Sequence, residues 1–144
     1  MASVRKEALI QSRTEEVWDA LCDWGAVHER LVPGFVIDAR VDGDDRIVTF
    51  FNGMTVRELF VDLDDQERRL VWSSVGGSLT HHNASAQVFD DGSGGTRFVW
   101  IADVLPHEAA ATIGAMMERG LAVLKETLEA RSSSAEPAAG APLT

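Results

Sequence analysis

A single cysteine, Cys22, occurs in 144 residues, which excludes an intramolecular disulfide and any zinc site built from cysteine clusters. Basic residues are scarce too. Lys and Arg number 13 against 23 Asp and Glu, a formal charge of −10, and no basic run exceeds a pair such as Arg68-Arg69. Electrostatics therefore oppose nucleic acid and anionic membrane as partners, although an acidic surface kept for solubility accounts for the same balance. Long apolar runs are missing as well. The opening "MASVRKEALIQ" lacks the apolar core of a secretory signal, and nothing approaches the roughly 18 apolar residues of a spanning helix. A cytoplasmic location without membrane insertion is the resulting expectation.

Motifs of common chemistries are also absent. No Gly-x-Ser-x-Gly elbow, phosphate loop or dinucleotide fingerprint occurs, and "GSGG" lies between two strand candidates with no helix behind it. His28, His81, His82 and His107 lack the i, i+4 helical pair or carboxylate partners of a zinc site. Neither a metal nor a cofactor is expected.

What remains has the composition of a soluble globular protein, 45% hydrophobic and 25% charged, at the size of one ordinary domain. The pattern opens with a strand candidate, "SVRKEALIQ". A helix follows near Arg13, where Ser12 and Glu15 have capping-box spacing, and a second helical piece, "AVHERL", ends at Pro33-Gly34. Six strand candidates come next. In the first, Phe35, Ile37, Ala39 and Val41 alternate with Asp38 and Arg40, and Asn52-Gly53 marks a hairpin between the second and third. From Pro106, Ile113, Met117, Gly120, Leu121, Leu124 and Leu128 share one face of a helix of about 24 residues. A single domain over residues 1–131 and a disordered tail over 132–144 are predicted, since "SSSAEPAAGAPLT" has no large apolar residue before Leu143.

This order makes an α+β protein in which a seven-stranded antiparallel sheet wraps a long C-terminal helix. Several residues expected to face inward are small: Ala84, Ala86, Ala102, Gly114 and Gly120. A hollow between sheet and helix follows, and apolar hollows with a few polar groups are the usual ligand sites of proteins.

The arrangement β-α-α-β6-α, "VWDALCDW" in the first helix, "GGTRFVW" followed by "ADVLP", and the amphipathic last helix resemble the SRPBCC superfamily, also called START-like or helix-grip. The similarity is to its bacterial polyketide cyclase/dehydrase-like branch, over about residues 3 to 130. It implies a helix-grip fold with a hydrophobic chamber that takes lipids, sterols, hormones or polyketide intermediates. Some members cyclise or dehydrate aromatic polyketides, and a related branch acts as a co-chaperone. The motifs mark the fold better than the activity, and the resemblance fixes no catalytic residue.

The residues themselves narrow the site. If Val88 pairs with Phe98, then Ala86 faces Trp100, Ala84 faces Ala102, and His82 lies near Val104 on one apolar face. His81, Asn83 and Asp103 then fall on the opposite face, and they form the pocket's polar set only if the register slips by one. The expected lining is Trp72, His82, Phe98, Trp100, Met117 and Leu121; the aromatics and Met117 also serve as plain core, and His82 as a half-exposed histidine satisfied by water. His82 and Glu58 are the candidate proton-transfer groups, although Glu58 is better suited to a cross-strand salt bridge with Arg57, Arg97 or another strand residue. The expected function is binding of a small hydrophobic ligand. The alternatives are a polyketide cyclase or dehydratase, and a protein-interaction or co-chaperone-like module. A homodimer is left open.

Overall fold

The computed structural model describes residues 2–140, with side chains described through residue 132. Strand β1 (Ala2–Ile10) leads into helix α1 (Thr14–Cys22), a 3-10 turn (Trp24–Ala26) and a π turn (Val27–Leu31). Six strands follow: β2 (Val36–Asp42), β3 (Asp45–Phe50), β4 (Thr55–Asp64), β5 (Arg69–Val75), β6 (His81–Asp90) and β7 (Thr96–Leu105). A 3-10 turn at His107–Ala109 enters the long helix α2 (Ala110–Gly140). The helix thus runs into the segment expected to be a disordered tail, and residues 141–144 of that tail lie outside the described residues.

All seven strands form one antiparallel sheet in the order β1-β7-β6-β5-β4-β3-β2. The meander from β2 to β7 and the return of β1 beside β7 are what consecutive hairpins and an opening strand produce. Inward residues of the sheet, α1 and α2 share one core that includes Ile10, Val17, Leu70, Phe98, Val104, Leu124 and Leu128. Helix α2 packs along β1 and meets β7 at its margin, so it sits toward one side of the sheet.

Two local expectations fail for identifiable reasons. The capping box does not form: α1 begins one residue later, with Arg13 as its extended N-cap, and the Ser12 hydroxyl donates to Glu16 Oε2 at 3.2 Å instead. Glu15 and Glu16 still place negative charge at the positive end of the helix. In β2 the alternation is interrupted by a bulge between Val36 and Asp38, which buries Phe35 and Val36 together and leaves Ile37 55% exposed.

Two ties fix the ends of the helices. The Thr96 hydroxyl, fully buried, donates to the Ser12 carbonyl at 2.7 Å, joining the start of β7 to the β1–α1 corner. Arg131 of α2 donates to the carbonyl oxygens of Arg30, at 2.9 Å, and Glu29, partnering acceptors in the π-turn segment.

Candidate functional site

Because α2 lies toward β1, the concave face of the rest of the sheet is incompletely filled, and a cavity of about 340 Å³ remains. Its walls are mostly apolar. Val48, Val56, Trp72, Ala86, Phe98, Trp100 and Ala102 come from the sheet, Ile113, Met116 and Met117 from α2, Leu21 and Leu31 from the helical segment, and Phe35 from the turn before β2. Two loops also border it, Gly76–Leu79 between β5 and β6 and the β3–β4 hairpin through Asn52 and Met54.

The β6–β7 register is the one expected from the segregation of polar and apolar residues. Val88 pairs with Phe98, Ala86 with Trp100, Ala84 with Ala102 and His82 with Val104. His81, Asn83 and Asp103 are therefore on the convex face, where Asp103 accepts the Ser3 hydroxyl at 2.5 Å. Five of the six expected lining residues, Trp72, His82, Phe98, Trp100 and Met117, border the cavity. Leu121 does not. It is buried on the flank of α2 that faces β1, beside Lys6 and Ala8, because the apolar face of the helix is wider than the part turned to the hollow.

The small residues divide in the same way. Ala86 and Ala102 border the hollow. Gly120 makes room for side chains and not for a ligand: a Cβ there would stand 2.9 Å from the Phe35 ring and 3.2 Å from that of Trp100. Gly114 faces Val4 of β1.

One level of the concave face is polar. Arg46 on β3 pairs across the ladder with Glu58 on β4, and Glu58 with Ser74 on β5. Arg46 Nε donates to Glu58 Oε1 at 2.8 Å, and the Ser74 hydroxyl donates to Glu58 Oε2 at 3.3 Å. The Ser74 N–H donates to His82 Nδ1 at 3.0 Å, so the imidazole of β6 takes the place of a ladder carbonyl. The row Arg46–Glu58–Ser74–His82 thus crosses four adjacent strands, and all four residues border the cavity. Trp24 packs against one end of the row, accepting an N–H of Arg46 on its carbonyl at 3.0 Å and lying 3.7 Å beneath the guanidinium carbon. Phe60 closes on Trp24 edge to face.

Burial lowers the pKa of His82, opposed by the nearby Glu58 carboxylate. With Nδ1 engaged as an acceptor, the proton of the neutral ring belongs on Nε2, for which no partner is found among the described residues. Cys22 is a different case: burial pushes its thiol up to about 11, which makes it a poor thiolate. Among the described residues, no three His, Cys, Asp or Glu side chains are placed to hold a metal ion.

Sequence reasoning missed Arg46 and Ser74. The cross-strand positions of Glu58 were the signal that would have found them, once the registers of β3, β4 and β5 were known.

Residues 1–129 match the family described as polyketide cyclase/dehydrase and lipid transport. The chain belongs to that family. Among solved structures, protein XoxI from Bacillus cereus is 20% identical and superimposes with a TM-score of 0.79, covering 89% of this chain and 96% of its own. The di-domain ARO/CYC BexL from the BE-7585A biosynthetic pathway is 13% identical with a TM-score of 0.76, over 90% of this chain and 47% of that one. A norcoclaurine synthase point mutant from Thalictrum flavum, in complex with a transition-state analogue, is 19% identical with a TM-score of 0.62, over 91% of this chain and 96% of that one. At these identities the likeness is one of fold. No curated protein matches the chain in sequence.

Proposed function

We propose that this family member binds one small, largely apolar molecule in the cavity between the sheet and α2. The observation that carries this reading is the hollow itself, about 340 Å³ with aromatic, aliphatic and methionine walls and polar groups gathered on one level. That volume lies near the lower end for pockets holding drug-sized molecules, so the occupant is of bicyclic size and not a long lipid. Affinity comes from apolar area removed from water, at about 25 cal/mol per Å² before ordering costs. Met116 and Met117 give the helical wall adaptable, polarizable surface.

Native mass spectrometry of gently purified protein tests this. An added mass that disappears on denaturation is expected, and it should be lost in an Ala86→Trp variant that fills the hollow. Protein that carries no adduct and takes up none from a panel of bicyclic apolar compounds would refute the reading.

A second reading is favoured by one feature, the convergence of Glu58 and His82 on Ser74 in the cavity wall. Here the chamber holds a reactive carbonyl chain in one folded shape, as a polyketide cyclase or dehydratase requires, and His82 or Glu58 moves a proton. Replacing both residues abolishes turnover under this reading and only tunes affinity under the first. A filled chamber, which the co-chaperone-like reading needs, is not supported by a hollow of this size.

A further inference from the structure

Among the described residues bordering the cavity, two are charged, Arg46 and Glu58. They are 5% and 7% exposed and hold each other at 2.8 Å, so the wall carries both signs and sums to zero. Their remaining contacts fix them in place: Arg46 donates to the Trp24 carbonyl and stacks over its ring, while Glu58 accepts the Ser74 hydroxyl. The next group along the row, His82, offers an Nε2–H without a partner among the described residues.

This arrangement treats ligand charges differently. A carboxylate entering the cavity meets a guanidinium already engaged. A carboxylate can pair only with the guanidinium N–H groups that Glu58 and the Trp24 carbonyl leave open, and there it brings a second negative charge beside Glu58 with no further counter-charge, which a buried site tolerates poorly. An ammonium group faces the mirror problem at Arg46. A neutral oxygen acceptor disturbs neither partner and gains the His82 hydrogen bond.

We propose that the cavity selects neutral molecules bearing a hydrogen-bond-accepting oxygen, such as a ketone or ester carbonyl on an apolar ring, over carboxylates and ammonium compounds of equal size. His82 is the donor and the Arg46–Glu58 pair is the charge filter. The inference rests on the ligand-binding reading above and names the chemical class of the ligand.

Four matched probes test it by calorimetry on the full chain at neutral pH: acetylnaphthalene, ethylnaphthalene, naphthoate and naphthylmethylammonium. The ketone should bind about fivefold more tightly than the hydrocarbon, the worth of one hydrogen bond. The two ions should bind at least about 100-fold more weakly than the ketone, because each leaves a buried charge unpaired. Equal binding of ketone and hydrocarbon overturns the selection while leaving ligand binding intact, as does a carboxylate that matches the ketone. Failure of all four removes the binding reading and this inference together. Two variants assign the effects. Glu58→Gln frees the guanidinium and should raise naphthoate affinity by about tenfold or more, whereas His82→Phe should erase the ketone's advantage over the hydrocarbon. If Glu58→Gln does not fold, the His82→Phe series decides, and a ketone preference that survives there contradicts the assignment.

Discussion

The part of the sheet beneath α2 and the part beyond it are built from similar strands but differ in what closes over them. Beneath the helix, Val4, Ala8 and Leu121 pack at the core beside a shallow groove that is open to solvent, and the polar contacts are surface pairs such as Lys6 with Glu118 at 2.7 Å. Beyond it, β3 to β6 present a concave face that the helix borders without filling, and there the polar row sits inside. A row of this kind is not what stability alone produces. A buried ion pair is weak evidence for stabilisation, because desolvation consumes most of its Coulombic gain. The comparison teaches that both parts share one apolar core, and that, among the described residues, buried charged side chains border a cavity only in the part beyond the helix.

The largest expected effect comes from splitting the pair. Arg46→Met strands Glu58 in the wall and should cost about 3–5 kcal/mol, whereas Arg46→Met combined with Glu58→Leu should restore most of that loss. Urea denaturation of the three proteins measures it, and a double variant as unstable as the single would show the row to be structural. Next comes a pair across the divide. Leu121→Ala should cost about 2–5 kcal/mol with ligand affinity retained, while Met116→Ala, at the cavity wall and partly exposed, should lower affinity with a smaller loss of stability. Equal behaviour of the two would erase the distinction.

Gly120→Ala stands between the regions. The new methyl meets Phe35 and Trp100, both of which border the hollow. It should push their rings into that space, costing about 1–3 kcal/mol as overpacking does and weakening ligand binding further than that loss explains. The smallest effect is a pH dependence. Burial holds the folded-state pKa of His82 below its unfolded value, so the unfolded chain takes up that proton first. Stability should therefore fall as pH drops below about 6.5 and stop falling on this account once the folded state is protonated too. His82→Phe should show a shallower decline over that window in paired denaturation curves, and parallel curves would contradict the assignment.

Much of this was legible in the residues. The β6–β7 register follows from the segregation of Ala84, Ala86, Phe98 and Trp100 from Asn83, Ser85 and Gln87, because a slip by one would reverse a whole strand. The polar row was not legible, and the reason lies in the β3–β4 turn. A two-residue Asn52-Gly53 turn would pair Phe51 with Met54 and set Arg46 opposite Leu59. The loop instead takes three residues, with Phe50 N–H donating to the Met54 carbonyl and Gly53 at φ 86°, and this one-residue difference brings Arg46 onto Glu58. Such a difference depends on the left-handed glycine. The place of Leu121 was hidden for another reason: helical periodicity identifies the apolar face of α2 but not which flank of it meets β1.

The most direct test is a methyl NMR titration of the protein with acetylnaphthalene, recorded with carbon-13 labels in Met, Leu, Ile and Val. The signals of Met116, Met117, Ile113, Val48 and Val56 should shift and show contacts to the ring, while those of Leu121 and Val4 stay in place. Saturable shifts confined to Leu121, Val4 and the outer face, with the cavity methyls unmoved, would contradict the account.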